Sequence, residues 1–89
     1  MAEPLQISVS PTPNPNAVKF TLNRVVSAEG RTYRAGASAD AAWAKELLSI
    51  GGVVAVYGVN NFISINKQPE ASWEAIVFQA EAALKRVFT

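Results

Sequence analysis

Apolar and polar residues alternate one for one in short runs of this chain. That two-residue period commits the backbone to strands with one dry and one wet side. Leu5, Ile7 and Val9 alternate with Gln6, Ser8 and Ser10, and Val18, Phe20 and Leu22 alternate with Lys19, Thr21 and Asn23. Pro11, Pro13 and Pro15 separate the two runs. Each proline fixes φ and removes a backbone donor, so residues 11–16 predict a rigid loop rather than a helix or central strand. Residues 28–30 read as a turn and residues 31–34 as a short third strand. Further on, residues 53–57 form a β-branched run, residues 58–61 carry turn chemistry, and residues 62–67 read as the antiparallel partner, ended by Pro69.

The period lengthens to that of a helix in two places. Trp43, Leu47 and Ile50, widened by Ala44 and Leu48, make an apolar stripe over residues 41–50. A small-residue linker over 35–39 leads to Asp40, whose carboxylate predicts an N-cap, and Gly51 and Gly52 supply a left-handed C-cap. Ser72 predicts the cap of a last helix running through Val87, striped by Trp73, Ile76, Val77, Ala80, Ala83, Leu84 and Val87. The expected fold is α+β, a two-layer sandwich of ββαββα order. Two helices cover one face of an antiparallel or mixed sheet, and residues 1–89 form a single domain. At 89 residues and 49% apolar the chain can build one core, and with no cysteine that core holds together by packing alone.

If Ile7, Val9, Val18, Phe20, Leu22, Val54, Val56, Ile63 and Ile65 point inward, then Gln6, Ser8, Lys19, Thr21, Tyr57, Phe62 and Ser64 point outward. Tyr57 and Phe62 bracket one hairpin, and with Lys19 they make an aromatic and cationic platform for a partner. The plainer alternative is that Phe62 only closes the end of the sandwich. Phe78 falls about 140° from Trp73 on the last helix, beside Glu74, Ala82 and Lys85, and predicts a docking or self-association contact. A monomer or weak homodimer is the expectation. Asn14 and Asn16 either satisfy nearby backbone groups or, beside Lys19, present polar groups to a partner peptide. Lys19, Arg24, Arg31 and Arg34 are the cations that could hold a small anion.

Several functions lose their chemistry. With neither cysteine nor histidine, the usual ligands for a cluster, a structural zinc or a haem do not exist, and no cofactor is expected. The commonest nucleophile and general base go with them, and no paired carboxylates or nucleophile-elbow context replaces them. Gly51 and Gly52 follow a helix instead of preceding one, the wrong polarity for a phosphate cradle. A net charge of +1 argues against nucleic acid. Neither a signal peptide nor a membrane span is visible, so a cytoplasmic protein is expected.

Residues 12–20, Thr-Pro-Asn-Pro-Asn-Ala-Val-Lys-Phe, resemble the opening signature of the N-terminal domain of Nfu/NifU-type iron–sulfur cluster scaffold proteins. Residues 44–53 look like that domain's first helix and glycine turn, and residues 56–58 and 62–67 like its hairpin. Trp73 opens a similar last helix. Trp43 and the Asn60–Asn61 turn depart from the pattern. The resemblance spans residues 6–88 and implies an α+β fold of the order just derived. In the family the cluster belongs to a separate Cys-x-x-Cys domain that these 89 residues do not contain. Cluster binding is therefore not carried over. What the resemblance implies is a non-catalytic adaptor accessory to iron–sulfur protein maturation, with assembly factors or clients as protein partners. The alternative is a module binding single-stranded nucleic acid or a small anion.

Overall fold

The computed structural model describes residues 4–36 and 39–88. Two expectations lie partly outside these: residues 37 and 38 of the small-residue linker, and residues 1–3 of the stretch read as lacking a signal peptide. The elements run β1 (Ile7–Pro11), β2 (Ala17–Leu22), β3 (Ser27–Arg34), α1 (Ala42–Leu48), β4 (Val53–Asn60), β5 (Phe62–Lys67) and α2 (Trp73–Phe88). The strands make one sheet in the order β1-β2-β5-β4-β3. Every neighbouring pair is antiparallel.

β2 and β5 bury the side their alternation predicts. Phe20 and Leu22 of β2, Ile63 and Ile65 of β5 and Val56 of β4 join Trp43, Ala44 and Leu47 of α1 and Ile76, Ala80, Ala83 and Leu84 of α2 in one cluster. Both helices therefore lie on the same face of the sheet, and burial of these side chains is the main drive for the fold. Within the helical layer, the Arg86 guanidinium donates to Glu46 Oε1 at 2.7 Å and ties α2 to α1.

Trp43 fixes how α1 sits. Its indole lies so close over β4 that a Cβ at Gly58 would stand 2.6 Å from the ring. Only a residue without a side chain leaves room there. Tyr33 of β3 meets the same indole edge-on, with centroids 5.6 Å apart.

Five details differ from the sequence reading. The third strand is longer than residues 31–34, because Ser27 already pairs with Asn60 and the expected turn at 28–30 is an irregularity inside β3. Pro11 belongs to β1 rather than the loop, which an edge strand tolerates because one side of its backbone needs no donor. At that same edge Val9 is 42% exposed instead of inward. β4 runs on to Asn60, with Gly58 paired to Ile63 and Val59 to Phe62 where the sequence reading has a turn over 58–61, and its register shift between Val53 and Ala55 puts Val53, not Val54, into the core.

The fifth difference is at α1, which starts at Ala42 with Ala41 as N-cap and no side-chain cap bond. Asp40 instead accepts a 2.6 Å hydrogen bond from the Tyr33 hydroxyl. That bond holds the Asp40 carboxyl below the usual aspartate range and, with partial burial and the neighbouring charge, pushes the Tyr33 phenol up. Gly52, at φ +95, takes the left-handed turn after α1 that the sequence assigns to the glycine pair.

Overpacking the Trp43 contact gives a direct check. Gly58→Ala is expected to lower unfolding free energy by about 1–3 kcal/mol. Gly51→Ala, whose Cβ meets nothing within 4 Å, is expected to stay within about 0.5 kcal/mol of wild type. Chemical denaturation of the three proteins reads both values.

Candidate interaction face

Because both helices cover one side, the opposite side of the sheet is left without a covering layer among the described residues. Register sorts that side into three rows. Ser8, Thr21, Phe62 and Val59 make the first, and Ser10, Lys19, Ser64, Tyr57 and Thr32 the second. Ala17, Asn66, Ala55 and Arg34 make the third. None of these residues carries a carboxylate. Small polar side chains dominate, and Lys19 and Arg34 are the cations.

The predicted platform residues come together here. Tyr57 and Phe62 sit on adjacent strands one diagonal apart, with ring centroids 6.5 Å apart and planes inclined at 53°. The Lys19 ammonium lies 4.5 Å from the Phe62 centroid, over the ring's electron-rich face. All three are half-buried, so their orientations are held by neighbours rather than free in water. Gly30 takes part indirectly. A Cβ there would stand 2.5 Å from Tyr57 Oη, so the irregular part of β3 provides the space into which the tyrosine reaches.

The remaining predicted residues lie elsewhere. Asn14 is exposed in the proline loop, where its Oδ1 accepts the Asn16 N–H at 2.9 Å, an Asx-type turn. Thr12 Oγ1 shares its one proton between the Asn14 and Ala17 carbonyls and accepts the Asn14 N–H. Asn16 Oδ1 accepts from Lys67 Nζ at 3.2 Å. This loop is at the sheet end opposite Phe62, since Pro11 pairs with Val18 while Phe62 pairs with Thr21. Arg24 follows β2 at the Phe62 end and donates to the Asn23 carbonyl at 3.4 Å. Phe78 is 76% exposed on α2, in the other layer.

Lys67 is the residue that sequence reasoning missed. It is 8% exposed, and its ammonium donates to Asn16 Oδ1 and to the carbonyls of Gln68 and Pro69, each at 3.2 Å. The Trp73 ring lies 5.6 Å from the same ammonium, and Trp73 Nε1 donates to the Pro15 carbonyl at 2.9 Å. Lysine and tryptophan together lock the proline loop onto the start of α2. The signal was available: Lys67 is in phase with Ile63 and Ile65, so a period of two sends it inward.

Nothing in this arrangement suits an iron–sulfur cluster. Cluster iron takes thiolate or, in one class, imidazole donors, and the sequence has neither. Among the described residues no group of three or more acidic, cysteine or histidine side chains could hold a metal ion. Nor is any described helix long and apolar enough to cross a membrane.

A two-layer α+β domain with a locked proline loop and one uncovered sheet face is thus the class the geometry defines. Residues 7–89 match the family described as scaffold protein Nfu/NifU N terminal, and the chain belongs to that family. Conserved virulence factor C of Staphylococcus aureus is 32% identical over 78 residues, 86% of this chain but 21% of that protein. The Staphylococcus haemolyticus protein of the same name is 30% identical over 79 residues, again 21% of its length. The chain thus spans about a fifth of these relatives. Among solved structures, the crystal structure of Staphylococcus aureus protein SAV1430 superposes with a TM-score of 0.79 at 32% identity. That match covers 89% of this chain and 98% of SAV1430. The solution structure of SeR13 from Staphylococcus epidermidis gives 0.65 at 30% identity, covering 91% and 96%.

The lysine lock predicts a local effect. Lys67→Met is expected to cost about 1–3 kcal/mol, because three acceptors lose a charged donor. Amide exchange at Asn14, Asn16 and Ala17 is expected to speed up beyond the change in global stability. Lys19→Met, on the open face, is expected to leave those amides unchanged.

Proposed function

We propose that this domain is a non-catalytic, cytoplasmic adaptor of the iron–sulfur maturation machinery that docks an acidic surface of a partner protein on its uncovered sheet face. The observation that carries this reading is the row pattern. Lys19 and Arg34 lie among small polar residues with no carboxylate in the same rows, and Tyr57 and Phe62 supply an oriented aromatic anchor. Anchors of this kind, desolvated and surrounded by near-neutral contacts, concentrate binding energy in a few side chains. Membership of the Nfu/NifU N-terminal family supports the link to iron–sulfur proteins. A chain without thiolates supports a role in contact rather than in holding the cluster.

The alternative occupant of the same aromatic and cationic face is a short single-stranded nucleic acid stacked on it. The net charge of +1 favours a protein instead.

Affinity capture from cells under anaerobic conditions tests the proposal. Wild-type protein is expected to recover an iron–sulfur assembly factor or client. Tyr57→Ala and Lys19→Glu, each still folded by circular dichroism, are expected to weaken that capture roughly tenfold, the loss typical of a hot-spot residue. Recovery of no such protein, capture indifferent to both variants, or tight salt-dependent binding of an oligonucleotide lost in Tyr57→Ala would overturn it.

A further inference from the structure

The outer surface of α2 carries an exposed aromatic side chain among small residues. Counting 100° per residue, the buried residues Ile76, Ala80, Ala83 and Leu84 centre roughly 180° from Phe78, so the phenylalanine points straight away from the core. It is 76% exposed, and the residues beside it on that surface, Ala75 and Ala82, are small and exposed. Small residues let a second helix approach closely, and an exposed aromatic between them is a knob with room around it. A surface hollow of about 460 Å³ lies next to it, lined by Ser72, Glu74, Ala75, Phe78 and Gln79.

Charge gives this surface a direction. Glu74 is in the first turn of α2 and Lys85 in the last. Both fall within about 40° of Phe78 on the same flank, which Glu81 shares about 60° from Phe78 and one turn before Lys85. That flank faces away from α1, because Arg86 on the other side reaches Glu46. Glu74 and Lys85 are also equidistant from the midpoint between Gln79 and Ala80. Two copies related by a dyad at that midpoint pack antiparallel and bring like flanks together, as an isologous interface requires. Each Glu74 then faces the other copy's Lys85.

We propose that the domain self-associates through α2 in this arrangement. The two Phe78 rings meet near the dyad against Ala75 and Ala82. The stem of each Lys85 lies across the hollow of the other copy, with its ammonium at Glu74. The contact is small, so the dimer is weak and depends on concentration. Its consequence is bivalence: the helical layers join back to back, and the two uncovered sheet faces point outward. A pair of linked sites holds a partner with repeated or paired epitopes more firmly than one site does.

Sedimentation equilibrium over roughly 10 µM to 1 mM spans the expected weak range and tests the proposal independently of any partner. Wild type is expected to shift from monomer toward dimer, and Phe78→Asp to remain monomeric with an unchanged circular dichroism spectrum. Glu74→Lys and Lys85→Glu are each expected to weaken association, and the double swap to restore it. Tyr57→Ala is expected to dimerise as wild type does. A wild-type monomer throughout, association unaffected by Phe78→Asp, or failure of the double swap to recover the loss would overturn it.

Discussion

The central position of β5 governs the rest of this structure. It pairs with β2 on one side and β4 on the other, so the direction of its side chains sets the faces of both neighbours. Ile63 and Ile65 go to the helices, and the period of two leaves no choice for the residues between and after them. Phe62, Ser64 and Asn66 must face the uncovered side. Lys67 must turn inward at the strand's end, where a charged group survives only with its donors satisfied. The proline loop supplies the acceptors together with the Gln68 and Pro69 carbonyls. A slip of one residue in β5 would therefore expose the core, bury the aromatic platform and release the loop together.

The helical layer contributes a different constraint. α1 is short, its buried residues are Trp43, Ala44 and Leu47, and it has no side-chain N-cap. Such a helix owes its stability to packing more than to local propensity. Trp43 provides that packing, over Gly58 and edge-on to Tyr33. The departures from the family pattern noted at Trp43 and at Asn60–Asn61 are thus accommodated by the fold. Asn60, at φ +53, takes a left-handed turn conformation that asparagine tolerates better than most residues.

Much of the fold could be read from sequence because periodicity and turn chemistry are local signals. The two long-period stripes, the central hairpin and the α+β class all follow from them. What could not be read was non-local. Ser27 joins β3 only because Asn60 is across from it, and Val53 enters the core only through the irregular register with β5. Asp40 looks like an ideal cap until the Tyr33 hydroxyl, seven residues earlier, claims its carboxylate. The candidate face shows the same division. Alternation alone directs Lys19, Tyr57 and Phe62 outward, but only strand order brings them together and adds Thr32 and Arg34. Asn14 and Asn16 are drawn instead into holding their own loop.

The proposed docking puts the partner on the uncovered sheet face, and not on the helical layer or the proline loop. Amide chemical-shift mapping of isotope-labelled protein, titrated with the assembly factor or client it recovers, measures this most directly. Shifts are expected to concentrate at Lys19, Thr32, Tyr57, Phe62 and Ser64, with the amides of α1 and α2 nearly still. Shifts concentrated along α1 and α2, or confined to residues 12–16, would contradict it.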